Sequence, residues 1–268
     1  MHIDIRLMTV VVGLLANIFL FPEPSLAQKR GYVIKEFHKT YPLEKNWRIR
    51  LENVNGDVRI TGWEKAEVKL DAVISGRSEE RINEIEIDVD SYGNRLYIET
   101  RYPKWDRDNW PKGESLASVD YTLSIPRTAL LDEVTVVNGA IDITKLEGEI
   151  RASSVNGDIR ADGLRGEGNL TTVNGDMDLV CFQADHSTPI EMTSVNGRIR
   201  LTLPSDANVR INASSVHGQI RTDFGVAVQK GSFAGRKFAA RLGEGEGRID
   251  LSNVNGTITI RRASDGNP

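Results

Sequence analysis

The chain has 268 residues, is 39% hydrophobic, and carries 34 basic against 38 acidic residues, a net charge of −4. That length allows one or two domains with a sizeable core, and the acidic balance argues against a nucleic-acid binder, which needs a net basic face. The single cysteine, Cys181, rules out an intramolecular disulfide, so core packing and backbone hydrogen bonds must hold the fold.

At the N-terminus, Arg6 precedes an apolar run from Leu7 to Phe21, and Ser25-Leu26-Ala27 follows with small residues. This is the pattern of a secretory signal peptide cut before Gln28. An uncleaved anchor is the alternative, but a span needs about 20 apolar residues, and this run has 15, interrupted by Gly13 and Asn17. Cleavage removes Asp4, Arg6 and Glu23, leaving 33 basic and 36 acidic residues and no integral membrane span. The expected organisation is a signal peptide over 1–27 and a single β-solenoid repeat domain over 28–268, with degenerate rungs over about 36–130 and regular rungs over about 131–262.

From Trp47, apolar Ile49 and Leu51 alternate with Arg48, Arg50 and Glu52 in the period-two pattern of a half-buried strand. Val54 breaks that alternation, which predicts a bulge or bend before the first repeat. Val-Asn-Gly or a near copy then occurs seven times, at Val54, Val137, Val155, Val173, Val195, Val216 (with His217 replacing Asn) and Val254. The central residues are 83, 18, 18, 22, 21 and 38 apart. An apolar residue stands three places after each central residue, and often another two places later, which is strand spacing. On such strands Val, Gly and the next aliphatic are expected to share the inward face.

Asn-Gly between alternating hydrophobics has two readings. It is a strong signal for a two-residue hairpin, in which both residues take positive φ. It also suits the corner of a solenoid coil, where each side-chain amide bonds to the Asn one rung away. A repeat of 18 to 22 residues fits a coil of two or three short strands and favours the solenoid, with a hairpin-built sandwich or prism as the alternative. The fold class is therefore all-β and solenoid-like, with Asn55, Asn138, Asn156, Asn174, Asn196, His217 and Asn255 as a structural turn ladder. Ser78 to Glu84 and Gly235 to Leu242 are the modest helix candidates.

Two stretches interrupt the repeat: residues 101 to 118 and residues 222 to 247. Long loops on a rigid scaffold are where function usually resides. Tyr102, Trp105 and Trp110 fall within nine residues of a polar, proline-bracketed segment. Exposed, they would stack on sugar rings or anchor a protein; folded back, they would cap the apolar end of the solenoid. Asp158 and Asp176, one repeat apart, would stack about 5 Å from each other on adjacent rungs, which suits a retaining carboxylate pair or part of a calcium site. The competing reading is that Asp is a good turn residue beside Gly, with Arg160 close enough to neutralise it. His38, His186 and His217 lack metal-ligand spacing. No catalytic residue, metal or cofactor is expected.

The order of these pieces resembles a bacterial adhesin-like family of unknown function with β-strand repeats. The residues that carry the likeness are Phe37-His38-Lys39-Thr40, Asn53 to Val58 running into Gly62-Trp63-Glu64, and Ser124-Ile125-Pro126 ahead of Val137. Leu203-Pro204 and Gly243-Glu244-Gly245 continue the pattern ahead of the last two repeats. The resemblance implies a β-solenoid exported to the periplasm or beyond, with some relatives linked to envelope stress, and carries over no catalytic residues. The expected function is non-enzymatic, a binding or structural module with an envelope polysaccharide or protein as partner and no nucleic acid. The alternative is a polysaccharide lyase or hydrolase.

Overall fold

A computed structural model describes residues 27–29, 32–42, 47–103, 117–185, 189–225, 229–230 and 235–263. The chain is all-β: among the described residues 22 strands form two eleven-stranded sheets, beside one short helix, Glu79–Asn83.

Each repeat is one rung of a β-solenoid. A strand ending on or just before the central residue lies in the first sheet, the chain turns at Gly and the next residue, and a second strand begins three places after the central residue in the second sheet. Ile150–Asn156 thus continues into Ile159–Leu164, and Gly168–Asn174 into Met177–Cys181. Equivalent strands pair parallel and in register, so Asn138, Asn156, Asn174 and Asn196 are successive Cα partners. Ile141, Ile159, Met177 and Ile199 are matched in the same way.

Spatial order departs from chain order at both ends. The last repeat, Gly247–Asn255 with Ile258–Arg262, is stacked between Ile190–Asn196 and Val209–Ser215, and so separates the Asn196 and His217 rungs. The first repeat, Arg48–Asn55 with Val58–Trp63, lies between the Asn138 rung and a terminal rung built from Arg95–Arg101 and Ser118–Pro126. The steps of 83 and 38 residues are the excursions that build the two ends of the stack before the chain returns to it.

Antiparallel strands finish the ends. Glu67–Gly76 and Tyr32–Pro42 extend the second sheet beyond Ser118–Pro126, and Glu86–Tyr92 extends the first beyond Arg95–Arg101. Arg236–Arg241 lies along Val209–Ser215. The helix expected over Gly235 to Leu242 is therefore a strand. The edge of the first sheet offers that segment backbone partners, and its Phe238 is buried at the end of the core. The helix expected over Ser78 to Glu84 is present as Glu79–Asn83, with Ser78 accepting from the Arg81 N–H at 3.4 Å and Ile82 buried.

Columns of stacked aliphatic residues fill the space between the sheets. One column contains Leu51, Val134, Ala152, Leu170, Met192 and Leu251, all buried. The valines of the repeat are not in such a column, which corrects the inward placement expected for them. Val155, Val173, Val195, Val216 and Val254 are 37–46% exposed. Period two holds as far as the central residue, so the residue two before it faces the core and Val faces out. The bulge or bend expected before Val54 is also corrected, because Arg48–Asn55 alternates without a break. The extra residue lies in Leu130–Asn138, where Asp132 and Glu133 together face a single residue in the strands on either side.

At the corner, Gly is required by the approach of the neighbouring rung. A Cβ on Gly157 would stand 1.9 Å from the Gly139 carbonyl oxygen, and one on Gly256 would stand 1.9 Å from that of Gly197. Asn takes no left-handed conformation: among the described residues, Lys145 is the one non-glycine with positive φ. This is a solenoid corner and not a two-residue hairpin.

Gly157→Ala is expected to destabilise by about 3 kcal/mol in urea unfolding, because backbone must move to admit the methyl. Gly93→Ala, where φ is +59° but nothing lies within 4 Å, is expected to cost about 1 kcal/mol. Equal losses would show that chain conformation and not rung contact selects glycine.

Candidate functional site

The Asn side chains form a continuous ladder along the corner. Nδ2 of Asn138 donates to Oδ1 of Asn55 at 2.9 Å, and the same bond joins Asn156 to Asn138, Asn174 to Asn156 and Asn196 to Asn174, each at 2.9 Å. Asn255 then donates to Asn196 at 2.8 Å, following the spatial order of the rungs. Backbone bonds run the opposite way, as in Gly157 N–H to the Asn174 carbonyl at 2.9 Å. His217 makes no side-chain bond to the ladder among the described residues; its N–H donates to the Val254 carbonyl at 2.8 Å.

A second row of polar side chains lies inside the corner. The residue two before the central one is Asn53, Ser154, Thr172, Ser194, Ser215 or Asn253 in six of the seven rungs, and all six are buried. Thr172 Oγ1 donates to the Gly157 carbonyl at 3.2 Å, Asn253 Nδ2 to that of Gly197 at 2.7 Å, and Ser215 Oγ to that of Gly256 at 3.3 Å. These residues were not singled out from sequence. The signal for them is a small polar residue recurring at a strand position whose neighbours two and four places earlier are apolar.

The acids after Gly are part of the same frame. Asp158 Oδ1 accepts from the Asp176 N–H at 2.9 Å, and Asp176 Oδ1 accepts from the Arg198 N–H at 2.8 Å. Asp57 accepts from the Ala140 N–H in the same way, at 2.9 Å. Arg160 lies 2.6 Å from Asp158, and Arg198 lies 2.5 Å from Asp176. Partial burial pushes the Asp176 carboxyl upward, but the Arg198 guanidinium and N–H, with Arg200 nearby, outweigh it and hold its pKa below the ordinary value. A retaining pair needs one ionised carboxylate and one carboxyl able to deliver a proton; here both acids are instead bonded to a backbone N–H of the next rung and to a guanidinium. No group of three or more His, Cys, Asp and Glu with metal-binding geometry occurs among the described residues.

Of the aromatic set, Tyr102 is described, whereas Trp105 and Trp110 lie outside the described residues. The Tyr102 hydroxyl donates to the Asn55 carbonyl at 3.2 Å and accepts from the Asn55 N–H at 3.3 Å. Its ring packs partly buried against the core, and that burial pushes its pKa up to about 12. Tyr102 thus faces the first rung of the ladder. Trp47 is buried, and Trp63 Nε1 donates to the Glu67 carbonyl at 2.9 Å. Cys181 is buried, which raises its thiol to about 12. His38 is exposed, with Nδ1 2.7 Å from Asp71 and Nε2 3.3 Å from Glu36, and these bonds raise its pKa. His186 lies outside the described residues.

The depressed Asp176 pKa gives a pH dependence. Its contribution to stability is present above the unfolded-state value of 3.8 and is lost as pH falls through the lower folded value. Asp176→Ala is expected to cost about 1 kcal/mol at pH 7, on the order of one hydrogen bond, with the solvent-screened Arg198 pair adding little. Urea unfolding at pH 7 and pH 3 checks this: the loss should shrink at pH 3, and an equal loss at both would remove the charge from the account.

No curated protein matches the chain. Among solved structures, a "putative cell adhesion protein" from Clostridium sporogenes aligns with a TM-score of 0.50 at 16% identity, covering 86% of this chain and 100% of its own. A "putative adhesin" from Bacteroides fragilis gives 0.39 at 15% identity, covering 85% and 97%. A "putative lipid binding protein" from Parabacteroides distasonis gives 0.30 at 14%, again covering 85% and 97%. The family model described as Toastrack DUF4097 matches residues 47–261, the whole stack from its first rung to its last strand, and the chain belongs to that family.

Proposed function

We propose that this protein is an exported, non-enzymatic β-solenoid that serves as a binding or structural module of the bacterial cell envelope, in the periplasm or beyond it. The observation that carries this reading is the commitment of the repeated polar side chains to the frame. The Asn amides, the inner hydroxyls of Ser154, Thr172 and Ser215, and the post-glycine carboxylates bond to neighbouring rungs, which leaves the repeat little means of acting on a substrate. The name of the Clostridium neighbour, a cell adhesion protein, is in keeping with this, although 16% identity carries the fold alone. Among the described residues no helix is long and apolar enough to cross a membrane. The apolar N-terminal run supports export, with Gln28 opening a single mature domain.

On this reading the binding segment is residues 101 to 118, which in the sequence join Arg95–Arg101 to Ser118–Pro126. Tyr102 fixes the start of the segment against Asn55, and Trp105 and Trp110 are the proposed contact residues for an envelope polysaccharide or protein. Replacing both tryptophans with Ala should leave the urea midpoint unchanged and lower retention on isolated envelope fractions by about tenfold, the scale of losing one aromatic anchor. Unchanged retention would remove the segment from the proposal.

A further inference from the structure

The outer face of the first sheet carries a groove of about 400 Å³ near its N-terminal end, lined chiefly by Arg48, Arg50, Arg95, Arg151 and Tyr97. A depression of about 310 Å³ shares Arg151 with it and continues over Ser153, Asn169 and Thr171. Together they make a channel that crosses five adjacent strands and so runs along the stack.

Four guanidinium groups gather there, and carboxylates meet three of them: Asp132 meets Arg48, Glu52 and Glu133 meet Arg50, and Glu149 meets Arg151. The extra residue in Leu130–Asn138 turns Asp132 and Glu133 toward the groove, where Asp132 lies 2.7 Å from Arg48 and Glu133 lies 3.0 Å from Arg50. Arg95 is exposed and has no ion pair among the described residues. It sits beside Arg48, its partner in the parallel register. Across the hairpin its partner is Tyr92, which is 84% exposed. Tyr97 lies two residues on, on the same face, with the Arg50 guanidinium 5.5 Å from its ring centroid.

We propose that this channel binds a carboxylate-bearing polysaccharide, with Arg95 receiving a carboxylate and Tyr92 offering its ring to a sugar face. The proposal rests on the reading of the protein as an envelope-binding module and names its ligand class at a second place on the frame. A free guanidinium takes a carboxylate through two parallel hydrogen bonds, and a tyrosine joins an apolar face to a polar tip, as a sugar ring requires. Ser153 and Thr171 are register partners on adjacent rungs, about 4.8 Å apart, and Asn169 lies two residues before Thr171 on the same face, so these hydroxyl and amide groups are in position to bond sugar hydroxyls. An acidic peptide fits less well. The channel lies on a sheet face whose backbone is already paired, so no strand can add to it, and Leu96 and Ala152 are the apolar residues lining it.

The test uses the purified protein and calorimetric titration with galacturonic acid oligomers, with dextran oligomers and poly-glutamate as comparisons. Oligogalacturonate should bind, weaken as salt is raised, and lose about tenfold in affinity in Arg95→Glu and in Tyr92→Ala. Both side chains are exposed, so the fold is expected to survive, and an unchanged urea midpoint establishes this. Binding no tighter than dextran, unchanged affinity in Arg95→Glu, or tighter binding of poly-glutamate would each overturn the proposal. The Trp105 and Trp110 variants should bind oligogalacturonate as the parent does. Failure of envelope retention therefore counts against the envelope reading alone, and failure of oligogalacturonate binding counts against the channel.

Discussion

The corner glycines set the distance on which the rest of the structure depends. The carbonyl oxygen of one corner Gly occupies the space where the Cβ of the next would lie, at 1.9 to 2.1 Å for Gly139, Gly157, Gly175 and Gly197. With the backbones that close, every rung is in register with its neighbours, and each side chain meets its own equivalent above and below. That geometry selects side chains by whether they tolerate a copy of themselves. An amide does, because it donates on one side and accepts on the other. Aliphatic residues and hydroxyls also do. A charge does so only with a counter-charge at hand, as Arg160 and Arg198 are for the stacked Asp158 and Asp176, and the outward row beginning two residues beyond the post-glycine acid alternates in sign: Arg59, Asp142, Arg160, Asp178, Arg200. Arg160 lies 3.6 Å from Asp142, and Arg200 is paired with Asp178.

Stacking in this way creates open ends, and the chain path deals with them. A terminal repeat with one bare face would expose core columns and unpaired strand edges. Here the first and last repeats in the sequence are interior rungs, held by neighbours on both sides. The ends are made from the excursions, in which Ile82, Phe224 and Phe238 are buried beyond the regular columns. Arg262 stacks over Phe224 with its guanidinium 4.8 Å from the ring centroid. Fraying of the last repeat must then open a rung paired on both faces, whereas fraying of a terminal rung in a simple coil opens one.

The solenoid, the rungs and the aliphatic positions three and five places after the central residue were legible in the sequence, because they obey one rule that repeats. The outward valines were not. β-Branched residues suit either face of a strand, and the inward positions on either side of the corner are five apart, an odd step, so period-two reasoning carried across it inverts the facing. The insertion of the Asn255 rung between Asn196 and His217 was also hidden, since spacing along the chain says how long an excursion is and nothing about where it returns. Gly235 to Leu242 reads as a weak helix when taken alone, and becomes a strand because the edge at Val209–Ser215 supplies what local propensity does not.

A repeat whose side chains are selected for stacking on themselves has little freedom left for a ligand, so recognition should fall where the repeat is broken. Two breaks lie close together at the N-terminal end of the first sheet. One is the extra residue at Asp132 and Glu133, which brings two consecutive side chains to a face that elsewhere shows every second one. The other is the hairpin joining Glu86–Tyr92 to Arg95–Arg101, whose residues have no counterpart in the regular rungs. Arg95 belongs to this irregular part: its neighbours on the two adjacent strands are Arg48, whose charge Asp132 meets, and the uncharged Tyr92. A regular rung alternates charge along its outward row; here the bulge supplies an acid to Arg48, and Arg95 is left without an ion pair among the described residues.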